Sequence, residues 1–241
     1  MLDPQLVLGA YAVGVFPMAD GRDAASVYWV EPRRRAVLPL GAFRPSRSLR
    51  KTVAADRFRV TADQAFGQMV QLCAESAEDR PETWINEGIE RVFLTLHAMG
   101  FAHSIECWDG DQLVGGLYGL ALGRAFFGES MVSRATDASK VALTWLVARL
   151  RAGGFTLLDC QFQTPHLASL GAVEISRADY IALLSGALDG VVGASSASGE
   201  RAGRAAGDFF ALDALPAGAA AGTVSGPVAG HDIVQFLAQT S

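Results

Sequence analysis

The spacing of apolar residues predicts three helices in the first two thirds of the chain. Apolar side chains recur at three- and four-residue intervals after Thr61, after Asn86 and after Asp137. Each of these residues has a side chain that can cap a helix N-terminus. Thr61 and Gln64 have the spacing of a capping box, so we expect the first helix to begin at Thr61.

Strand patterns dominate from residue 103 to residue 128. The segments 103–108, 113–122 and 124–128 alternate or run apolar, and a further strand is expected at 155–159, after the third helix. A last helix is expected to begin at Ser176. Strands in this order, with helices before and after them, predict an α+β fold whose mixed sheet brings strand ends to one cleft.

The two ends of the chain differ in composition from the middle. Residues 1–45 are rich in glycine, proline and aromatic residues and predict a small N-terminal domain, followed by a catalytic domain at 46–184. Residues 185–241 form an Ala/Gly/Ser-rich C-terminal extension that we expect to be partly flexible. Within it, 208–215 and 233–237 carry apolar side chains that could anchor the extension on the body.

Charge is distributed unevenly along the sequence. The formal net charge is −5, yet the window 33–59 contains nine Arg or Lys residues and a single acid, Asp56. A basic patch on an acidic body favours docking of a phosphate-bearing partner through one face. A solvated arginine-rich loop would have the same composition, and the sequence leaves that alternative open.

Several classes of protein are disfavoured. The cysteines Cys73, Cys107 and Cys160 have no spacing typical of a metal site or a disulfide framework, which indicates a reducing, cytoplasmic setting without metal. The apolar run 6–18 is too short to span a bilayer, so no membrane association is expected. The glycines at 115–123 lack a following Gly-Lys-Ser/Thr, which argues against a nucleotide-binding loop.

Polar residues interrupt the apolar strands at two points. Asp159 and Gln161 follow the strand 155–158 and point the same way, because alternate side chains of a strand share a face. Burying a carboxylate there is costly unless something uses it, so this pair is a candidate site. Glu129, after another strand, is either a site residue or a buried ion-pair partner.

Ten segments, in order and with matching spacing, resemble the leucyl/phenylalanyl-tRNA–protein transferases between residue 2 and about residue 184. Any one segment alone is a weak signal, and together they are specific. Val132 departs from the family pattern, in which Phe is frequent, and nothing is carried over to 185–241. The segments are AYAVGVFPM (10–18), WVEPRRR (29–35), SRSLRK (46–51), TWI (83–85), AHSIECW (102–108), LVGGLYG (113–119), FGESM (127–131), DASK (137–140), DCQFQTPHL (159–167) and SLGA (169–172).

The resemblance implies an acyl-transferase-like fold and an aminoacyl transfer reaction. Leu, Phe or Met would pass from the 3′ ester of an aminoacyl-tRNA to the N-terminal α-amine of a protein that begins with Arg or Lys. The product would carry an N-terminus that marks it for N-degron proteolysis. Aminoacyl-tRNA would be a co-substrate of a cytoplasmic monomer that needs no cofactor.

The resemblance also implies roles for individual residues. Asp159, Gln161 and Glu129 would form the catalytic set, in which Asp159 either holds the acceptor's ammonium group or accepts its proton. Trp29 and Trp84 would stack on the terminal adenine. The aminoacyl side chain would lie among Leu117, Phe126, Met131, Leu146, Leu150 and Leu158. From the basic window, the candidates for binding tRNA phosphates are Arg47, Arg50 and Lys51.

Two other functions fit parts of the pattern. An acyl-CoA-dependent N-acetyltransferase would share the expected fold, but it would need glycine-rich backbone donors where the third helix begins, and 133–140 contains no glycine. A non-catalytic tRNA-binding adaptor would explain the basic window and leave Asp159 and Gln161 without a role. The aminoacyltransferase accounts for both features.

Overall fold

A computed structural model describes residues 2–75, 83–189, 206–214 and 228–239. In these ranges no helix is both long and apolar enough to cross a membrane. The helices are α1 (Pro4–Ala12), α2 (Arg47–Ala54), α3 (Phe66–Ala74), α4 (Glu87–Ala98), α5 (Ala138–Ala152), α6 (Pro165–Ser169), α7 (Arg177–Leu188) and α8 (Gly230–Gln239). The strands are β1 (Phe16–Met18), β2 (Tyr28–Val30), β3 (Arg34–Val37), β4 (Arg59–Ala62), β5 (Ala102–Asp109), β6 (Gln112–Leu122), β7 (Ala125–Ser133), β8 (Leu157–Gln161) and β9 (Val173–Ser176).

A seven-stranded mixed sheet forms the centre of the molecule, in the order β4-β5-β6-β7-β8-β3-β9. Neighbouring strands are antiparallel except β7 and β8, which are parallel and therefore need a crossover connection, supplied by α5. Helices α2, α5 and α8 cover one face of the sheet, and α1, α3, α4 and α7 cover the other. The expected α+β fold, with a mixed sheet flanked by helices, is confirmed.

The N-terminal unit ends earlier than residue 45. It consists of α1 and the two-stranded hairpin β1–β2, in which Phe16 pairs with Val30. The next strand, β3, lies inside the large sheet between β8 and β9. Residues from Arg34 onward therefore belong to the main body.

Thr61 does not begin a helix. It lies in β4, and α3 begins only at Phe66. The Thr61 hydroxyl accepts a hydrogen bond from Trp108 Nε1 (2.8 Å) and donates one to the buried carboxylate of Glu106. These bonds to β5 outweigh the local capping pattern, because tertiary contacts override propensity.

The remaining helix starts lie where the sequence predicts them. Asn86 Oδ1 accepts from the Ile89 amide (2.9 Å), and Ser176 caps α7. Asp137 precedes α5, but its side chain makes no capping bond and pairs instead with Lys140 (2.9 Å). Ser133, at the end of β7, caps α5 instead: its hydroxyl accepts a hydrogen bond from the Ser139 amide (2.8 Å).

Two C-terminal segments lie on the body. Helix α7 continues to Leu188, past the boundary expected at 184. Phe209 and Leu212 are buried beside α5, and Ile233 and Leu237 of α8 are buried in the same core. Both expected anchors are thus in contact with the body, while residues 190–205, within the expected flexible part, lie outside the described residues.

Candidate active site

A cavity of about 280 Å³ opens where β7 and β8 separate. The parallel pairing of these strands ends at Phe127 and Asp159. Beyond that point, side chains connect the strands, since Gln161 Nε2 donates to Glu129 Oε1 (2.9 Å). The cavity therefore has a polar pair at the junction of two strands, between largely apolar walls.

Four of the six predicted pocket residues line this cavity. They are Leu117 from β6, Met131 from β7, Leu146 from α5 and Leu158 from β8. The sequence did not single out the other apolar lining residues, which are Leu143, Cys160, Phe162 and Leu167. The walls thus come from β6, β7, β8, α5 and the segment around α6.

Phe126 and Leu150 lie behind the cavity and do not line it. Both are fully buried in the core between the sheet and α5. Phe126 stacks on Phe209 of the C-terminal segment, with ring centroids 5.8 Å apart. The structure therefore places these two residues in the packing that supports the site.

A β-bulge aims Glu129 at the cavity. Gly119 of β6 pairs with Gly128, whereas the preceding Tyr118 pairs with Ser130, so Glu129 is the extra residue. A bulge of this kind redirects a side chain, and bulges are frequent beside active sites. Gly119 permits the close approach, because a Cβ there would lie 2.3 Å from the Phe127 carbonyl oxygen.

Glu129 is buried at the edge of the cavity. In the part of the chain that the structure describes, no basic side chain lies within ion-pair distance of its carboxylate. Burial raises the pKa of Glu129 to about 8, and hydrogen bonding by Tyr11 and Gln161 opposes this shift only in part. The negative charge of Asp159 adds to the increase. Glu129 can therefore gain or lose a proton near neutral pH.

Asp159 is buried as well, but it is fully compensated. Arg35 donates from Nε to Oδ1 (2.9 Å) and from Nη2 to Oδ2 (2.6 Å), and the Tyr180 hydroxyl donates to Oδ2 (2.8 Å). The Arg35 guanidinium lies over the rings of Phe16 and Tyr180, at 4.7 and 4.5 Å. Asp159 does not line the cavity, so it acts on the site through the residues that contact it.

Gln161 connects Asp159 to the cavity by hydrogen bonds. Its backbone amide donates to Asp159 Oδ1 (2.8 Å), and its φ of 62° lies in the left-handed region, which is unfavourable for a residue with a Cβ. Strain of this kind persists where surrounding contacts enforce it and is frequent at functional sites. Because its amide nitrogen donates to Glu129, the Gln161 oxygen remains an acceptor for a ligand.

The two tryptophans lie on different parts of the N-terminal half. Trp84 is half-buried, and its carbonyl accepts from the Ala19 amide (3.2 Å), which ties it to the end of the β1–β2 hairpin. Trp29 pairs with Pro17 across that hairpin and is 38 % exposed. Met18, on the opposite face of the hairpin from Trp29, packs against the same core as Trp84.

The three basic candidates lie together on a helix. Arg47, Arg50 and Lys51 are exposed on α2, whose apolar residues Leu49 and Val53 are buried. Residues three and four positions apart share a helix face, so the three charges lie side by side. Much of the remaining basic window is paired elsewhere, as Arg35 with Asp159, Arg34 with Glu174 and Arg57 with Asp109.

Tyr11, Arg35 and Tyr180 were not singled out from the sequence as site residues. All three are almost completely buried around Glu129 and Asp159. Tyr11 and Arg35 do fall within segments that carry the family resemblance. Their place in those segments is the only signal that could have marked them as site residues. It does not indicate that Arg35 contacts Asp159 or where the two lie relative to the cavity.

Two family models match the chain. One, described as leucyl/phenylalanyl-tRNA protein transferase, matches residues 37–185. The other, described as the N-terminal domain of leucyl/phenylalanyl-tRNA protein transferase, matches residues 1–33. The second range ends directly before β3, in agreement with the N-terminal unit of the structure.

Similar curated proteins carry the same description. A leucyl/phenylalanyl-tRNA–protein transferase of Rhizorhabdus wittichii is 62 % identical over 100 % of this chain and 99 % of its own length. One of Phenylobacterium zucineum is 54 % identical over 99 % of this chain and 98 % of its own length. One of Zymomonas mobilis is 59 % identical over 78 % of this chain and 70 % of its own length.

Proposed function

The chain belongs to the leucyl/phenylalanyl-tRNA protein transferase family, and from that premise we propose that this aminoacyltransferase moves Leu, Phe or Met from aminoacyl-tRNA to the N-terminal α-amine of a protein that begins with Arg or Lys. The modified protein then enters N-degron proteolysis in the cytoplasm. The observation that carries the proposal is an apolar cavity with a protonatable carboxyl and an amide acceptor at one end.

The cavity holds the aminoacyl side chain. Leu117, Met131, Leu146 and Leu158 supply apolar walls without a hydrogen-bonding side chain. An apolar pocket distinguishes ligands that differ by one methylene by only about 1–3 kcal/mol. Acceptance of Leu, Phe and Met together is therefore expected, whereas charged side chains are excluded by the cost of their desolvation.

The chemistry at the cavity end is a proton transfer coupled to attack on an ester. An α-amine has a pKa of about 8, close to the value of about 8 for Glu129, so a proton can pass from the ammonium group to the ionised form of Glu129 with little free-energy difference. The amine nitrogen then attacks the ester carbonyl carbon. The new C–N bond replaces the bond to the 3′ oxygen, which leaves as a hydroxyl after taking up the second proton that the amine nitrogen loses when the amide forms.

Gln161 and Asp159 position the reactants. The Gln161 side-chain oxygen accepts a hydrogen bond from the attacking amine, and its nitrogen holds Glu129. Asp159 acts as an orienting charge, because its oxygens are occupied by Arg35, Tyr180 and the Gln161 amide. Correct positioning alone supplies up to roughly 7–11 kcal/mol in well-oriented reactions.

The tRNA binds outside the cavity. Its terminal adenine stacks on Trp84 and Trp29 beside the hairpin, and its acceptor-stem phosphates bind Arg47, Arg50 and Lys51. Stacking of a base on an aromatic side chain contributes roughly 1–3 kcal/mol. Alanine at Trp84 and at Trp29, in separate variants, shows whether both indoles contribute to binding of the 3′ end.

Transfer of label to a peptide tests the proposed reaction. The protein is incubated with radiolabelled Leu-tRNA and a peptide that begins with Arg, beside a matched peptide that begins with Asp. Label is expected in the Arg peptide only. Label that stays on the tRNA in both reactions, or acetyl transfer from acetyl-CoA to the same peptide, would overturn the assignment.

The phosphate-binding surface has its own test. Arg47→Ala/Arg50→Ala removes two charges, so the slope of log affinity against log salt for tRNA falls by about two. Turnover at saturating tRNA is expected to stay near the wild-type value. A salt slope equal to that of the wild type would exclude these residues from phosphate contact.

A further inference from the structure

We propose that α8 is a positioning element for tRNA binding, because it holds α2 in the orientation in which Arg47, Arg50 and Lys51 face outward together. This inference rests on the proposed phosphate-binding role of those three residues. The family models match residues 1–33 and 37–185, so α8 lies beyond the part of the chain that they cover.

Helix α2 depends on its neighbours. It has eight residues, and isolated helices shorter than about 12–15 residues are marginal in water. Its apolar residues Leu49 and Val53 are buried in the same core as Ile233 and Leu237 of α8. Helix α2 packs chiefly against α8 and less extensively against α5.

Polar contacts fix α8 at both of its ends. At the first end, the Gly230 amide donates to Asp56 Oδ1 (2.7 Å), directly after α2. At the other end, Arg151 of α5 donates from Nη1 to the Leu237 carbonyl (3.1 Å) and from Nε to the Leu40 carbonyl (2.7 Å). Leu40 lies in the segment before α2. Through Asp56 and Arg151, α8 is therefore linked to the chain on both sides of α2.

The geometry of α2 places its charges away from α8. Arg47, Arg50 and Lys51 occupy one face at spacings of three and four residues, and Leu49 and Val53 occupy another. The apolar face is the one that shares the core with α8. A rotation or shift of α2 on α8 would therefore change where all three cations lie.

Gly230 offers a precise way to disturb this contact. A Cβ at residue 230 would lie 1.8 Å from the Val53 carbonyl oxygen and 2.7 Å from Asp56 Oδ1. Because the nearest atom belongs to the backbone, Gly230→Ala can be accommodated only if α8 moves away from α2. Gly186→Ala is the matched control, since Gly186 is exposed on α7 and nothing lies within 4 Å of a Cβ there.

The test compares tRNA affinity in the full-length variants. We expect Gly230→Ala to weaken binding of uncharged tRNA about three- to tenfold at low salt and to reduce the salt slope, because fewer phosphates are contacted at once. Backbone amides of α2 should exchange faster with solvent. Turnover at saturating Leu-tRNA should match the wild type, and Gly186→Ala should match it in every respect.

Combining the variants separates positioning from general destabilisation. In the Arg47→Ala/Arg50→Ala background, Gly230→Ala is expected to cause little further loss of affinity. Equal losses in both backgrounds, or wild-type affinity despite faster exchange in α2, would overturn the inference. If Gly230→Ala does not fold, Asp56→Gly removes the hydrogen bond, tolerates the φ of 47° at this position, and is judged by the same criteria. Wild-type affinity in Arg47→Ala/Arg50→Ala would instead refute the proposed phosphate surface itself.

Discussion

Asp159 and Glu129 are buried carboxylates beside one cavity, yet their surroundings differ in almost every respect. Asp159 receives hydrogen bonds from Arg35, Tyr180 and the Gln161 amide, and it is 0 % exposed. Glu129 interacts with the Gln161 and Tyr11 side chains, borders the cavity, and has no ion-pair partner among the described residues.

This difference gives the two residues different roles: Asp159 is a structural carboxylate and Glu129 is a reactive one. A buried carboxylate that is paired with a guanidinium group fixes its neighbours in place through hydrogen bonds. An uncompensated one has a raised pKa, which is about 8 for Glu129, and can exchange a proton with a substrate amine. The two carboxyl groups can therefore share one site with distinct roles, Asp159 as a positioning residue and Glu129 as the proton acceptor.

The largest expected effect comes from removing the compensation of Asp159. Arg35→Met leaves a buried carboxylate without its cation, and we expect the free energy of unfolding to fall by about 3–5 kcal/mol. Urea denaturation of both proteins measures the change. Adding Asp159→Asn to Arg35→Met should restore part of the lost stability. If Arg35→Met alone lowered the free energy of unfolding by less than about 1 kcal/mol, the Arg35–Asp159 ion pair would not have a structural role.

Removal of the reactive carboxyl should lower the rate of aminoacyl transfer. Glu129→Gln is expected to lower single-turnover transfer from Leu-tRNA by about a hundredfold, the scale of general acid–base catalysis. Glu90→Gln makes the same chemical change on α4, where Glu90 pairs with Arg22. Equal transfer rates in the two variants would remove Glu129 from the reaction.

Stability as a function of pH tests the raised pKa of Glu129. The unfolded chain releases the Glu129 proton near pH 4.5, and the folded protein keeps it until about pH 8. Between these values the unfolded chain binds fewer protons, so wild-type stability falls as pH rises. Glu129→Gln lacks this titration and should gain about 2 kcal/mol relative to the wild type between pH 5 and pH 7. Parallel stability curves for the two proteins would be inconsistent with a raised pKa.

The smallest expected effect concerns one hydrogen bond to Asp159. Tyr180→Phe removes the hydroxyl that donates to Oδ2 and should cost about 1–2 kcal/mol of unfolding free energy. Tyr28→Phe, at a side chain that is 44 % exposed, is the matched control and should cost little. If both variants were equally stable, the Tyr180 bond would not contribute to holding Asp159.

Local signals in the sequence were sufficient for much of the fold. The β5 and β6 strands, the position of α5, and the caps at Asn86 and Ser176 all follow from residues close together in the chain. These features depend on periodicity and on side chains that bond within one helical turn.

Those local signals could not predict contacts between residues that are far apart in the sequence. Arg35 and Asp159 are 124 residues apart, and nothing local indicates that they meet. The bulge that aims Glu129 at the cavity arises from the register between β6 and β7, which alternation within one strand does not specify. Thr61 has a capping pattern, but Glu106 and Trp108 on the neighbouring strand engage its hydroxyl.

The most direct measurement is the pKa of Glu129 in the folded protein. Nuclear magnetic resonance titration of ¹³C-labelled glutamate carboxyl groups gives this value, and the resonance missing from Glu129→Gln identifies the residue. We expect a midpoint of about 8, because burial disfavours the charged form of this carboxyl. A midpoint near the ordinary value of 4.5 would contradict the division between a structural and a reactive carboxylate.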